Sequence, residues 1–316
     1  MHRLGVLLKS YGKDLHHAQR MIETFHRHNK DDLSLFIVVP DEDEQLFRPL
    51  VGKNTQLLLE SEFVGYLVDE PLWDLRPGYI NQEIIKLAFW ERGLTENYFC
   101  ADSELVFVRD FGYDDFMADE VTPFTVLVED NELKVEPRYY EQHWEGRERH
   151  LRRIQELVGL EDRRLLTCHG HQVMSSDVMA SLKKDFMEPR GWSYADLLRE
   201  SPYEFSWYNF WLQKSQVIPI VQREPLVKTF HNRIQELEYA ISGVTIVDIA
   251  RAYVGVVANS NYADAYESGA VSDPPSKKLA RYIPPDVLGK AIALQAIWAL
   301  RRRLAHLRQA LRRGQS

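Results

Sequence analysis

Apolar runs and polar breaks alternate along the first part of the chain in a strand–helix rhythm. Arg3 to Leu8 is a short apolar run that reads as a buried strand, and the polar stretch Lys9-Ser10-Tyr11-Gly12-Lys13-Asp14 follows it as a loop. Asp14 stands where a helix cap belongs, ahead of Leu15, Ala18, Met21, Ile22 and Phe25, which share one helical face. Leu33 to Val39 reads as a second buried strand, stopped by Pro40. Asp41-Glu42-Asp43-Glu44 then opens a helix, with acids at the positive end of its dipole. Gln56 to Glu60 is a third strand, and Gly78 to Trp90 a helix that turns Ile80, Ile84, Leu87 and Ala88 to the core. This β-α-β-α-β order implies an α/β fold with a mostly parallel central sheet flanked by helices. Ligands of such sheets sit outside the carboxyl ends of the strands.

Asn97 to Val108 carries the densest chemistry. Asp102 and Glu104 lie one residue apart between two apolar runs, so a strand runs up to the first acid and another starts after the second. In an extended segment residues i and i+2 point to the same side, which aims both carboxylates at one point. Mg²⁺ and Mn²⁺ favour such oxygen ligands, commonly with substrate phosphates completing the shell. The alternative is a solvated polar turn. Gln82 and Lys86, four apart on the preceding helix, share a face that either meets a phosphate or sugar hydroxyl or is ordinary polar surface.

Downstream, Phe124 to Val128 reads as a strand, residues 139–158 as a charged helix, and Leu165 to His171 as a strand leading into a helix capped by Ser175 or Ser176. His169 and His171 are metal ligands, a polar site wall or structural histidines; no third ligand at zinc spacing is nearby. Six of the eleven residues from Pro202 to Leu212 are aromatic. They form either a core helix or a pocket wall to which Glu204 adds a carboxylate. Val217 to Ile220 reads as a strand and leads to a late loop bearing Lys228 and His231. Val244 to Val254 predicts a helix, and Asn259 to Lys278 a linker. The domain division expected is 1–240, 241–284 and 285–316.

Composition narrows the setting. With 45% hydrophobic and 27% charged residues the chain has a globular profile, and two cysteines, Cys100 and Cys168, make a disulfide framework improbable. No secretory apolar region opens the chain and no run reaches the roughly 20 residues of a membrane span, so a cytoplasmic home is expected. Net charge is −8, yet residues 287–316 hold seven basic side chains and no acids, leaving −15 on the remainder. An acidic body argues against nucleic-acid binding. The final helix, from about Pro285 to Arg313, lines Ile297, Leu300, Leu304, Leu307 and Leu311 along one face beside arginines. Such a helix lies on an anionic membrane surface, joins subunits, or docks on the body. The sequence leaves the oligomeric state open.

Over residues 3–235 the chain resembles DUF6492 proteins, which look like GT-A nucleotide-sugar glycosyltransferases. The resemblance rests on Lys9-Ser10-Tyr11 with Asp14, Val38-Val39-Pro40-Asp41, Gly78-Tyr79 with Gln82 and Lys86-Leu87, Ala101-Asp102-Ser103-Glu104, Glu204 to Tyr208, and Lys228 with His231. Glu104 departs from the second Asp more usual in such enzymes. The resemblance implies a metal-dependent transfer of sugar from a nucleotide diphosphate to a hydroxyl, on a glycan or lipid-linked acceptor in bacterial surface polysaccharide or glycolipid synthesis. Asp102 and Glu104 would hold Mn²⁺ or Mg²⁺, with His231 a third ligand. Lys9, Ser10, Tyr11, Asp14 and Gln82 would border the nucleotide, and Lys86 or Lys228 would meet phosphate. Glu204 would be the base for the acceptor hydroxyl. Two other functions fit the same features: a sugar-phosphate nucleotidyltransferase, whose Gly-rich loop is represented here by Gly12 alone, and a non-catalytic binding or scaffold protein.

Overall fold

The computed structural model describes residues 2–73, 75–129, 131, 145–168, 170–231, 235, 239 and 244–258. The predicted linker and basic C-terminal helix, and His169, lie outside them. The elements of the first part are β1 (His2–Lys9), α1 (Leu15–His28), β2 (Ser34–Val39), α2 (Glu44–Phe47), β3 (Thr55–Leu59), α3 (Pro77–Ala88), β4 (Thr95–Ala101) and β5 (Leu105–Phe107). Next come α4 (Tyr113–Phe116), β6 (Phe124–Val126), α5 (Glu145–Val158), β7 (Val173–Ser175), α6 (Ser176–Ser181), α7 (Tyr194–Glu200), α8 (Glu204–Ser215) and β8 (Val221–Arg223). The last are β9 (Val227–Phe230), α9 (Ile246–Ile249) and β10 (Gly255–Ala258).

The chain divides into two units, one of residues 1–228 with 253–257, the other of 229–252 with 258–316. In the first, a central sheet has the order β3-β2-β1-β4-β7. β1, β2, β3 and β4 are parallel, and β7 closes the edge antiparallel to β4. The uninterrupted apolar runs of β1 and β2 follow from this placement, since a strand between neighbours and covered on both faces needs apolar residues on each side. On one face Val6, Leu8, Ile37, Val39 and Phe99 pack with Met21 and Phe25 of α1. On the other, Phe36 meets Phe89 and Phe89 meets Tyr98, with ring centroids 5.3 and 5.0 Å apart. The Tyr98 hydroxyl donates to the Lys86 carbonyl at 2.8 Å and so fixes α3 to β4.

The aromatic segment is a core helix. Phe205, Trp207, Tyr208, Phe210 and Trp211 of α8 are all buried, Trp207 Nε1 donates to the Ser201 carbonyl at 3.0 Å, and the Tyr208 hydroxyl accepts from the Ser175 N–H at 3.1 Å. Buried indole and phenol groups thus find polar partners, as their burial demands.

Two expected elements differ. The strand expected at 217–220 lies instead at Val221–Arg223, parallel to β6, because Pro219 supplies no backbone donor for a ladder. The helix expected over 244–254 belongs partly to each unit. In the second unit it is the single turn α9, opened by a capping box in which Thr245 Oγ1 donates to Asp248 Oδ2 at 2.7 Å. In the first unit Gly255–Val257 pair antiparallel with β5 and the Val254 N–H donates to the Leu226 carbonyl. The strand that starts at Gly255 thus draws Val254 out of the expected helix. Among the described residues no helix is long and apolar enough to cross a membrane.

Replacing the fully buried Trp207 by alanine removes its ring and leaves the Ser201 carbonyl unpaired. Trp207→Ala is expected to lower unfolding free energy by about 3–5 kcal/mol, read from urea midpoints.

Candidate functional site

β1 has β2 on one side and β4 on the other, so the direction of strand order reverses between β1 and β4. Open α/β sheets offer a ligand crevice at such a switch point, outside the carboxyl ends of the strands. The loop after β1 and the turn after β4 meet there. Ser103 Oγ donates to Ser10 Oγ at 2.9 Å, joining the two. The Gly12 N–H donates to Asp43 Oδ2 at 2.6 Å, and a Cβ on Gly12 would fall 2.5 Å from Asp43 Oδ1, so the loop approaches Asp43 only because residue 12 has no side chain.

The acidic turn differs from the expected geometry. The Leu105 N–H donates to the Asp102 carbonyl at 3.1 Å, which closes a four-residue turn with Ser103 and Glu104 at its centre. Strand alternation therefore does not align Asp102 with Glu104. The Asp102 side chain is 41% exposed, and Glu104 is half-buried. Asp102 Oδ1 lies 3.7 Å from Lys86 Nζ and Oδ2 lies 3.3 Å from Nε2 of the buried His171.

Lys86 is the hub. Its side chain is 6% exposed, and its ammonium stands 2.9 Å from Glu204 Oε1, 3.6 Å from Glu83 Oε2 and 3.7 Å from Asp102 Oδ1. The Phe205 ring centroid lies 5.0 Å away. Burial alone would lower the Lys86 pKa, but Glu204, Glu83 and Asp102 overcome it and hold the ammonium charged well above its ordinary range. Burial alone would raise Asp102, and Lys86 with His171 instead holds it well below the usual carboxylate range. Glu204 is likewise opposed by burial and held below its ordinary value by Lys86 and by a hydrogen bond from Glu83. Glu83 takes the other course: burial and the Glu204 charge push it well above the carboxylate range, so it is the protonated member of the pair.

The remaining candidates distribute as follows. Ser10 is buried, Tyr11 is 40% exposed on the loop and Gln82 is half-buried on α3. Asp14 is half-buried and raised chiefly by burial, with the Asp102 charge adding to the rise and His17 and Lys9 opposing it. Lys9 is buried, its ammonium committed to Glu60 Oε1 at 3.0 Å and the Ser10 carbonyl at 2.8 Å, and burial lowers its pKa. Lys228 is half-buried on β9. His231 belongs to the second unit, where it is buried and its N–H donates to Gln235 Oε1 at 2.7 Å.

Three expectations change with these positions. Lys86 and Lys9 serve carboxylates inside the protein rather than an exposed phosphate. Glu204, buried, paired with Lys86 and weakened as a base, is not placed as an acceptor-side base. The Asp102 oxygens that the sequence offered to a divalent cation stand 3.7 Å from the Lys86 ammonium and 3.3 Å from His171 Nε2, so a fixed positive charge already neighbours them. Among the described residues no group of three His, Cys, Asp or Glu side chains forms a metal cage. Glu83 and Ser103 went unread in the sequence. Glu83 three residues before Lys86 was a visible signal, since that spacing places the pair on one helical face.

The DUF6492 model, a family of unknown function, matches residues 3–242. No curated protein matches the chain. Similar solved structures include apo mouse xyloside xylosyltransferase 1, at 9% identity and TM-score 0.42, covering 83% of this chain and 98% of that one. The apo WbbM bifunctional glycosyltransferase is 11% identical at TM-score 0.45, covering 89% of this chain and 51% of that one. At these scores neither likeness carries an argument.

Glu83 and Glu204 should respond oppositely to amide replacement. Glu83, raised in the fold, adds stability below its unfolded pKa and loses it as pH rises through the folded value. Glu204, depressed, adds stability above its unfolded pKa and loses it as pH falls through the folded value. Glu83→Gln keeps a neutral donor and is expected to leave the urea midpoint at neutral pH nearly unchanged. Glu204→Gln leaves a buried ammonium without its nearest partner and should cost about 3–5 kcal/mol.

Proposed function

The chain belongs to the DUF6492 family, and we propose that it is a GT-A-like glycosyltransferase moving a sugar from a nucleotide diphosphate to a hydroxyl acceptor. The observation that carries this reading is the convergence of the Lys9–Asp14 loop and the Asp102 turn at the switch point of the sheet, joined by the Ser103–Ser10 hydrogen bond. An anionic, partly exposed carboxylate fixed at such a crevice suits the hydroxyls of a ribose or sugar.

In transfer, the bond between the anomeric carbon and the diphosphate oxygen breaks with its electron pair left on the diphosphate. The acceptor oxygen bonds to the same carbon and loses its proton. Asp102 orients the donor through its exposed face, while Lys86 and His171 hold its geometry. Tyr11 borders the base or ribose. Asp14, at the crevice and more basic than an ordinary carboxylate, replaces Glu204 as acceptor of the proton. Lys13, exposed on the loop, and Lys228 are the cations offered to the diphosphate. A divalent ion arriving with the donor would add charge stabilisation. The acceptor is a glycan or lipid-linked saccharide, brought near by the basic segment 287–316 on an anionic membrane face.

A second reading, a nucleotide-sugar-binding protein without turnover, draws on the internally neutralised Lys86 cluster. A panel of UDP-, GDP- and CMP-sugars, scored for thermal stabilisation and for nucleotide release, separates the two. Stabilisation without release selects the binder, and no response to any donor removes both. Asp102→Asn is expected to cut nucleotide release about 100-fold or more while the protein stays folded by circular dichroism. Undiminished release would remove Asp102 from the site.

A further inference from the structure

The carboxylates of Glu83, Asp102 and Glu204 come from three separate elements: the middle of α3, the turn after β4 and the first turn of α8. All three face one ammonium, at 3.6, 3.7 and 2.9 Å. Convergent oxygens of this kind are what a hard divalent cation seeks, but Lys86 already stands at their centre, carried there on α3 and anchored by the Tyr98 bond to its own carbonyl. A second cation against the same Asp102 oxygen would meet a fixed positive charge a few ångströms off.

We propose that Lys86 is the resident cation of this site, a positioning residue whose ammonium neutralises and aims Asp102, so that the protein engages nucleoside diphosphate without holding a divalent ion of its own. The nucleotide half of this statement rests on the function proposed above; the cation half does not.

Thermal unfolding tests the cation half. Wild-type midpoints in EDTA and in millimolar Mn²⁺ should agree within about 1 °C. A rise of about 4 °C or more with Mn²⁺ that Asp102→Asn abolishes would overturn the proposal. Lys86→Met leaves three carboxylates facing one another, and its midpoint should fall by about 5 °C or more and recover in part with Mn²⁺. A midpoint equal to wild type, or one that Mn²⁺ leaves unmoved, speaks against Lys86 as the occupant of a cation position. Should Lys86→Met not fold, the wild-type comparison decides. UDP and GDP binding by calorimetry tests the nucleotide half. Equal affinity in EDTA and Mn²⁺ supports it, and binding seen only with Mn²⁺ overturns it. Absence of binding in both media defeats the nucleotide-sugar reading while the unfolding data still judge Lys86.

Discussion

The buried ammonium of Lys86 is the constraint on which the active-looking end of this protein depends. An unpaired charge in such a place is costly, and Glu204 and Asp102, held below the usual carboxylate range, offset that cost. Burial and the Glu204 charge push Glu83, the third carboxyl group facing the ammonium, well above that range. The arrangement ties α3, the turn after β4 and the start of α8 to one point. A shift of α3 or α8 would part the buried Lys86 ammonium from Glu204, its nearest partner.

Around that point the fold supplies rigidity of a different kind. Tyr98 holds α3 down on β4, and the aromatic face of α8 fills the layer behind it. The loop after β1 is held from two sides, by Asp43 beneath Gly12 and by Ser103 against Ser10. Tyr11 and the partly exposed Asp14 and Asp102 therefore stand on held segments. A site that acts by orientation needs that support, because small displacements of reacting groups are costly to rate.

Much of the frame was legible in the residues. The apolar runs of β1 and β2 read as buried strands because a central parallel strand must be apolar on both faces, and of the two serines read as the start of the helix after β7, Ser175 holds the N-cap position, without a side-chain capping bond. The acidic turn was located correctly, but its internal geometry was not: whether residues 102–104 continue a strand or close a turn depends on one backbone hydrogen bond, which i, i+2 spacing cannot report. Lys86 and Glu204 were singled out as chemically active, yet their mutual pairing spans 118 positions of sequence and no local pattern encodes it. Glu83 differs: its spacing of three from Lys86 was visible, but its burial against Glu204 was not. On a helix wheel it sits beside the apolar stripe, and only the burial of its neighbours makes its carboxyl remarkable in energy rather than ordinary. The helix read over Val244 to Val254 shows the converse error: only Ile246–Ile249 is helical, and Val254 leads into the strand that pairs with β5 from Gly255.

The single hydroxyl-to-hydroxyl contact between Ser10 and Ser103 has a mechanical corollary. It joins the loop after β1 to the turn after β4 without charge, between two buried side chains. The loop after β1 and the turn after β4 are therefore coupled at this point through one uncharged bond, and loss of either hydroxyl removes it.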